Sequence, residues 1–472
     1  MSKDLRTFLG AVETRAPELL RRVEREVSPR WELSAVQKRL ESRGDLPVLL
    51  FDRVAGHAMP VVSNVFASKR HLALALDTSP DAVVETFAEA SRRAVPPRLV
   101  DSGAVKEVIA TGAGATLDRL PVVTHCEKDA GPYLTSGVTI IRDPGSGALN
   151  AGIYRHRVLS PTTLTVNLAP LTHGAEIVRA ASERGAPVDA AIVVGHHPAL
   201  GMASQRRGAS SHSELETMGA LLGEPVDLVA AETVDLAVPA DAEIVIEGRI
   251  RTDRTADDGP FGDYWLYYAP PKPAWVFEVG AITHRADAIF HDVFNVGPEH
   301  LVLFSLGMEG LAFEQLRAVV PGLRGVAVPV SGSGNLVYVQ IRKSMEGQGV
   351  NAALAALGAY RFKCAIVVDE DIDIEDDRRV LWALMTRTQA DRSMFTVPGS
   401  YVSRVDPTGY PAWHDSDQGR RLLSTRLGID ATAPLDPAFP EVAEPPRDLW
   451  TTIDVDAYLA PRVDPASPGP RR

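Results

Sequence analysis

The chain has 472 residues, 45% hydrophobic and 23% charged, which is the composition of a globular protein and not of a disordered one. The formal net charge of -12 argues against a nucleic-acid-binding protein, which would carry a basic patch, but it allows a local cationic pocket for an anionic substrate. Two cysteines, Cys126 and Cys364, are too few for a disulfide framework or a thiolate metal site, which fits a cytoplasmic protein.

The N-terminal region is predicted to mix helices with short strands. Charged residues run through "MSKDLRTFLGAVETR", where a signal peptide needs an apolar stretch, and no segment approaches the ~18–20 apolar residues of a membrane span. We therefore expect a soluble, intracellular protein without a membrane partner. Leu5, Phe8, Leu9 and Val12 recur at helical spacing, and "SPDAVVETFAEASRRA" begins as a capped helix at Ser79.

Strand signals dominate from about residue 105 to residue 292. The β-branched runs, bounded by Gly, Pro, Asp and Ser, are "YLTSGVTIIRD", "AGIYRHRVL", "TTLTVNLAP", "AAIVVG" and "AEIVIEGRI". Two stretches with a helical pattern, "GAEIVRAASERG" and "SELETMGALLG", interrupt them. The final third alternates strand and helix in the α/β manner, and proline-rich segments follow residue 434. At ~100–200 residues per domain, the length predicts two or three domains.

The stretch "NAGIYRHR", residues 150–157, reads as one strand with three consecutive basic side chains. A solvated sheet edge is one explanation of these cations. Residues five apart in a regular strand face opposite sides, so Asn150 and Arg155 are expected to diverge. Either Gly152 marks a bulge that re-aims the side chains, or the two residues serve different sides of one ligand.

Polar residues of the strand-rich region form a candidate metal-binding set. The Asn150 oxygen, the His173 nitrogen and the Glu214 carboxylate would suit a cation such as Mn²⁺, which accepts both oxygen and imidazole ligands. No two of them are close in sequence, so a structural role for His173 stays open. The segment "DDGPFGDYW", with Asp258 and Asp263, is equally open to being only a tight turn with acidic flanks.

Three longer segments resemble one known family. "DAGPYLTSGVTIIRDPGSGALNAGIYR", "EGRIRTDRTADDGPFGDYW" and "VVDEDIDIEDDRRVLWALMTRTQ" are together similar to the UbiD family of reversible decarboxylases, which use prenylated FMN. The resemblance covers about residues 46–432 in the family's order. It implies an α+β multidomain protein with an N-terminal α+β domain (1–104), a central split β-barrel that binds prenylated FMN and is related to flavin-reductase barrels (105–310), and a C-terminal α/β oligomerisation domain with a flexible tail (311–472).

The resemblance also implies a cofactor site. Asn150, His173 and Glu214 would hold Mn²⁺, which grips the cofactor phosphate, and K⁺ commonly lies beside them. Glu214 is chosen by its spacing from Gly219, although Glu216 is close enough to compete. The further residues implied to contact the prenylated FMN are Thr135, Ile153, Arg155, Ser204 and Lys343.

The implied reaction is reversible, non-oxidative decarboxylation of an aromatic or heteroaromatic acid through a covalent prenylated-FMN adduct. Arg155 would pair with the substrate carboxylate, since a guanidinium can hold it with two parallel hydrogen bonds. Asp258 would orient Arg155, and Asp263 would protonate the carbon that loses CO₂. The family has Glu at both acidic positions, and the shorter Asp of this chain bears on the proton donor and on the shape of the substrate.

The first substrate expectation is a pyrrole-, furan-, indole- or phenazine-carboxylate, with cinnamic, hydroxybenzoic and polyprenyl-hydroxybenzoic acids still open. The other partners expected are CO₂, a flavin prenyltransferase that supplies the cofactor, and further copies of the chain in a homodimer or homohexamer. Two alternatives remain. One is a metal-dependent hydrolase that uses Asn150, His173 and Glu214 with Asp263 as base, and the other is a non-catalytic flavin-binding protein.

Overall fold

The structure, a computed structural model, describes residues 3–143, 145–169, 172–208, 212–401, 406–411, 422–436 and 439–459. The chain divides into two compact units, Met1–Thr432 and Ala433–Arg472. The end of the predicted flexible tail, residues 460–472, lies outside the described residues. Across the part of the chain that is described, no helix is both long enough and apolar enough to cross a bilayer.

The helices and strands follow in chain order. The α-helices of the described residues are α1 Leu5–Arg15, α2 Glu32–Glu41, α3 Lys69–Leu76, α4 Val83–Ala90, α5 His173–Glu183, α6 Pro198–Ala203, α7 Glu214–Leu222, α8 Pro298–Val319, α9 Gln348–Ala359, α10 Asp377–Arg387, α11 Ala390–Ser393 and α12 Arg447–Trp450. The strands are β1 Leu20–Val23, β2 Val48–Phe51, β3 Val61–Ser63, β4 Arg98–Leu99, β5 Val108–Thr111, β6 Tyr133–Leu134, β7 Val138–Arg142, β8 Leu149–Ile153, β9 His156–Ser160, β10 Thr163–Val166, β11 Val188–Val194, β12 Asp227–Ala230, β13 Ala237–Pro239, β14 Ile244–Asp258, β15 Phe261–Gly262, β16 Tyr268–Ala269, β17 Lys272–His284, β18 Phe290–His291, β19 Leu323–Ala327, β20 Leu336–Ile341, β21 Cys364–Asp369, β22 Met394–Tyr401, β23 Tyr410–Pro411 and β24 Leu422–Asp430.

The central sheet is a curled half-barrel. Its strand order is β6-β9-β10-β17-β14-β11-β7-β8, and β5 adds to β17. The long strands β14 and β17 pair antiparallel, with register shifts after Glu247 and after Arg251. Such irregularities bend a strand and increase its twist, which lets the sheet curl. The predicted split barrel inside a mixed α+β protein is therefore confirmed.

Strand β11 is apolar on both sides because both faces of the curled sheet are covered. Ile192 and Val194 pack into a core with residues of α5, whereas Ala191 and Val193 pack into a second core with residues of α6 and α7. This alternation is the two-residue period of a strand. Of the covering helices, α5 and α7 begin near β8, which positions the candidate site.

Smaller sheets flank the half-barrel. The N-terminal sheet has the order β1-β2-β3-β18, so β18 from the central region completes it. Conversely, β4 from the N-terminal region pairs in parallel with β12 of the central region. The C-terminal sheet has the order β19-β20-β21-β24-β22 and is α/β, as predicted, with parallel pairing from β20 through β24. Helix α8 runs without a break across residue 310, and the domain limits at residues 104 and 310 stay predictions.

The prediction that "NAGIYRHR" forms one strand is wrong. β8 ends at Ile153 and pairs with β7, whereas β9 begins at His156 and pairs with β6 and β10. The register of β7 and β8 is regular through Gly152, so no bulge is present there. The buried Tyr154 breaks the strand by folding back over Gly152, where an added Cβ would lie 2.8 Å from its ring.

Candidate functional site

The structure brings together the three residues predicted to bind a metal. Asn150 on β8, His173 at the start of α5 and Glu214 at the start of α7 line one cavity of about 590 Å³. A volume between roughly 300 and 1,000 Å³ is usual for a small-molecule or cofactor site. Three elements that are distant in sequence therefore present their polar side chains to the same space.

Glu214 is the most closely bound member of this set. It is buried, and its Oε2 accepts hydrogen bonds from the Ala151 backbone N–H (2.9 Å) and from Asn150 Nδ2 (3.4 Å). Its Oε1 lies 3.2 Å from Arg206 Nη2. Arg206 also lines the cavity, so a guanidinium stands beside the candidate metal ligands. Sequence reasoning missed Arg206, because its pairing with Glu214 depends on the tertiary structure.

Glu216, the competing carboxylate, serves a different purpose. It closes the capping box at the start of α7, where its Oε2 accepts from the Ser213 backbone N–H (2.7 Å) and from Ser213 Oγ (3.0 Å). This pairing satisfies backbone donors that the helix leaves free. Glu214, by contrast, points to Asn150, so the geometry favours Glu214 as the ligand.

The cavity suits an anion held through a metal. Helices α5 and α7 both begin at it, and the unpaired N–H groups of a helix start attract phosphate. Among the described residues, no three side chains of the His, Cys, Asp and Glu types gather as at a metal site. The Asn150 amide is therefore needed to complete the set, and one imidazole nitrogen with two oxygen donors is a combination that Mn²⁺ accepts.

A second cluster surrounds Arg155, which lies between β8 and β9. Arg155 Nε donates to Asp258 Oδ2 (2.8 Å), and its Nη2 lies 2.7 Å from the same oxygen. Asp258 is fully buried and also accepts hydrogen bonds from Asn167 Nδ2 and from Thr165 Oγ1 (3.4 Å). Asn167 in turn pairs its backbone with that of Arg155. Sequence reasoning missed Asn167 and Thr165, which hold Asp258 in place.

Asp263 faces the same arginine from the other side of the turn. Its Oδ2 lies 3.8 Å from Arg155 Nη1, and the Arg155 guanidinium lies 4.6 Å from the centre of the Phe261 ring. Burial raises the pKa of the Asp263 carboxyl above its usual value, and the positive charge of Arg155 opposes that rise. An acid with a raised pKa beside a fixed cation is suited to proton transfer.

The two other basic residues of the stretch have structural roles. His156 is fully buried between Thr139 Oγ1 (3.0 Å) and the Thr165 carbonyl (3.1 Å), and burial lowers its pKa to about 4. It is therefore neutral at pH 7. Arg157 donates to the carbonyls of Asp257 and Ala130, both at 2.9 Å. The solvated edge is thus the wrong explanation of these cations.

Thr135 and Ile153 lie near the site but outside the larger cavity. Thr135 is buried, and its Oγ1 donates to Asp292 Oδ1 at 3.4 Å. Asp292 also pairs with the buried His125, whose Nε2 is 2.9 Å away. Ile153 lines a separate cavity of about 20 Å³, which is room for little more than a water molecule.

Ser204 and Lys343 are placed differently from the predicted ligands. Ser204 is the C-cap of α6, two residues before Arg206, and its hydroxyl donates to the Gly201 carbonyl at 2.6 Å. Lys343 follows β20 in the C-terminal sheet, where its Nζ pairs with Glu346 at 3.0 Å. Among the described residues, neither lines the cavity of Asn150, so the structure does not bring them to that cluster.

Comparisons with known proteins agree with this architecture. The chain matches the N-terminal domain model of 3-octaprenyl-4-hydroxybenzoate carboxy-lyase over residues 13–91, its Rift-related domain model over 98–298 and its C-terminal domain model over 302–431. It is 32% identical to the anhydromevalonate phosphate decarboxylase of Methanothermobacter thermautotrophicus, over 88% of this chain and 94% of the relative.

Solved structures give the same picture. The UbiD-class enzyme HmfF from Pelotomaculum thermopropionicum, in complex with FMN, superposes with a TM-score of 0.90 and 37% identity, covering 97% of this chain and 100% of HmfF. An evolved dimeric form of HmfF has been solved with prenylated FMN. The apo 3,4-dihydroxybenzoic acid decarboxylase of Klebsiella pneumoniae has a TM-score of 0.86 and 27% identity, with coverage of 94% and 98%.

Proposed function

Since this chain belongs to the UbiD family and is a carboxy-lyase, we propose that it reversibly decarboxylates an aromatic or heteroaromatic acid with prenylated FMN as its cofactor. The observation that carries the proposal is the buried Arg155–Asp258 pair with Asp263 beside it. Family membership places the chain among carboxy-lyases, which removes the reason to treat it as a metal-dependent hydrolase.

Arg155 binds the carboxylate that is lost. Its guanidinium is oriented by Asp258 through Nε and Nη2, which leaves Nη1 directed towards Asp263. A guanidinium fixed by one buried acid keeps its orientation while it holds a second carboxylate. The Phe261 ring under the guanidinium restricts its position further.

Asp263 supplies the proton that replaces CO₂. The raised pKa of its buried carboxyl favours the protonated form, which is the form a general acid needs. When the substrate carboxylate occupies Arg155, the anion neutralises part of the positive charge that opposes this rise. Substrate binding therefore prepares the acid. In the carboxylation direction, the same group takes up the proton.

Asn150, His173 and Glu214 would hold Mn²⁺, with K⁺ bound beside it, and these cations would bind the cofactor phosphate. Arg206 and the starts of α5 and α7 add positive potential to the same cavity. The bound prenylated FMN supplies the electron sink for the electron pair that the departing CO₂ leaves behind. Thr135, Ile153, Ser204 and Lys343 are proposed as further cofactor contacts.

The cofactor is supplied by a flavin prenyltransferase, and the working form is a homodimer or a homohexamer. The dimeric form of HmfF is the support for self-association. The test is to produce the protein with and without a flavin prenyltransferase and to screen aryl and heteroaryl acids for CO₂ release. We expect flavin-like absorption and turnover in the co-produced protein alone. A cofactor-loaded protein that releases CO₂ from none of the acids would contradict the proposal.

A further inference from the structure

A group of aromatic rings and arginines begins at the residue after Asp263. Tyr264 donates its backbone N–H to Asp263 Oδ1 at 2.7 Å, and the centre of its ring lies 4.8 Å from that of Phe304. The Arg207 guanidinium lies 4.7 Å from the centre of the Phe304 ring. A continuous set of contacts therefore joins the proposed proton donor to Arg207.

A second arginine reaches the same place from the C-terminal region. The ring of Tyr360 is contacted by Arg207 at 5.5 Å and by Arg361 at 5.2 Å. The positive charge of Arg361 lowers the pKa of Asp263, as that of Arg155 does, and so opposes the rise in pKa that burial causes. Two guanidinium groups thus meet at the Tyr360 ring.

Neither arginine has a carboxylate counter-charge among the described residues. Among the described residues, neither Arg207 nor Arg361 forms an ion pair with a carboxylate, and the buried Nε of Arg207 has no hydrogen-bond partner. The nearby Lys363 differs, because its Nζ pairs with Asp406 at 2.8 Å. Arg361 hydrogen-bonds to the Tyr401 hydroxyl, and both arginines are half-buried, so two positive charges stand here without a balancing carboxylate among the described residues. Two such half-buried cations indicate that an anion binds beside them.

We infer that Arg207 and Arg361 bind a second anionic group of the substrate, a carboxylate or a phosphate, while Arg155 holds the carboxylate that is lost. The inference rests on the proposed function. The rings of Tyr264, Phe304 and Tyr360 provide flat apolar surfaces for an aromatic substrate, and a guanidinium binds either anion through two parallel hydrogen bonds. The substrate class is therefore an aromatic acid with two anionic groups.

The experiment compares matched acids on the cofactor-loaded protein. Benzoate is paired with terephthalate, pyrrole-2-carboxylate with pyrrole-2,5-dicarboxylate, and 4-hydroxybenzoate with 4-(phosphonooxy)benzoate. We expect the doubly charged member of at least one pair to have the larger kcat/KM by roughly 10- to 100-fold, the range of one to two charge-assisted hydrogen bonds. The dicarboxylates and the phosphate ester distinguish the two kinds of anion.

Single substitutions assign the effect to the two arginines. Arg361→Gln and Arg207→Gln should lower the ratio of kcat/KM for the preferred doubly charged acid to kcat/KM for its singly charged partner by about 10-fold or more. If the Gln variants do not fold, Arg207→Lys and Arg361→Lys replace them. These variants keep the positive charge, so they should retain part of the preference for the doubly charged acid. Arg392→Gln, at a residue whose side chain is 83% exposed, is the control and should change neither value.

Binding measured by calorimetry separates this inference from the proposed function. Doubly charged acids that bind no tighter than their partners, or Gln variants that weaken both acids equally, would overturn the subsite. Tight, arginine-dependent binding of a doubly charged acid without any CO₂ release would support the subsite and contradict the proposed function. Turnover of singly charged acids without any preference for doubly charged ones would support the proposed function and contradict the subsite.

Discussion

Asp258 shows how a short side chain can hold an arginine when the backbone is close enough. It is the last residue of β14, and its carboxylate reaches Arg155 Nε at 2.8 Å although it is one methylene shorter than Glu. Thr165 and Asn167, on and just after β10, approach the same carboxylate. The doubt that the Asp residues raised in the sequence is thus answered for position 258 by a direct contact.

At Arg155, the planar shape of the guanidinium should matter as well as its charge. We expect Arg155→Lys to lower kcat of decarboxylation by at least ~100-fold while the cofactor stays bound, because Lys keeps the charge but loses the fork that Asp258 orients. Arg249→Lys, at an exposed pair with Asp189, is the control. A near-normal rate for Arg155→Lys at full cofactor occupancy, checked by absorbance, would show that the carboxylate binds elsewhere.

The raised pKa of Asp263 predicts the pH dependence of the reaction. The protonated acid is the active form, so kcat should fall as the pH rises through the pKa of Asp263, and Asp263→Asn should be nearly inactive at every pH. A pH–rate profile of kcat checks this. If kcat stays constant on the alkaline side, or if Asp263→Asn is active, Asp263 is not the proton donor.

The same shift has a consequence for stability. A buried acid whose folded-state pKa is raised stabilises the fold below its unfolded-state pKa, and this contribution is lost as the pH rises through the folded-state pKa. Asp263→Asn carries no charge, so its free energy of unfolding should depend less on pH in that window. Chemical denaturation at several pH values measures the difference.

At the scale of elements, two helix starts and one broken strand line the cavity that is proposed to bind the cofactor phosphate. The sequence predicted α5, α7 and the strands around them because their apolar residues repeat at regular spacing. It could not predict the break between β8 and β9, since Tyr154 suits a strand and only tertiary packing folds it over Gly152. Asn167 was missed because its partner, Asp258, lies 91 positions away, and Arg206 was missed because a separation of eight residues from Glu214 matches no regular contact within a helix or strand.

The start of α7 contains a matched pair of carboxylates. Glu214→Gln should lower the Mn²⁺ and flavin content of the purified protein, because it removes a charged ligand, and His173→Ala should act in the same direction. Glu216→Gln should leave both contents unchanged, since an amide oxygen can still accept from Ser213. Metal analysis and flavin absorbance measure the outcome. If Glu216→Gln loses the metal and Glu214→Gln does not, then Glu216 is the metal ligand and the assignment of Glu214 is wrong.

At the scale of the whole molecule, one lysine joins three regions of the first compact unit. Lys69, at the start of α3, lies 3.0 Å from the buried Glu309 of α8 and 2.6 Å from Glu375, which precedes α10. Glu309 also accepts from the Val328 backbone N–H at 2.8 Å. The three regions were predictable from the order of strand and helix patterns along the chain. The Lys69 contacts with Glu309 and Glu375 were not, because they join residues more than two hundred positions apart.

Loss of the Lys69 ammonium should leave Glu309 buried without its partner. We expect Lys69→Met to lower the free energy of unfolding by roughly 3–5 kcal/mol. Lys38→Met, which removes an exposed pair with Glu41 on α2, should cost less than about 1 kcal/mol. Denaturant titration of the first unit's unfolding compares the two. Equal losses would mean that the Lys69 cluster contributes no more than a surface pair.

The central claim is that this carboxy-lyase works through prenylated FMN bound beside Arg155 and Asp263. The most direct measurement is CO₂ release from one acid by two preparations of equal flavin content, one with prenylated FMN and one with FMN alone, each identified by mass spectrometry. We predict turnover in the first and none in the second, although both are folded, because FMN lacks the added ring that accepts the electrons. Equal turnover by the preparation with FMN alone would contradict the account.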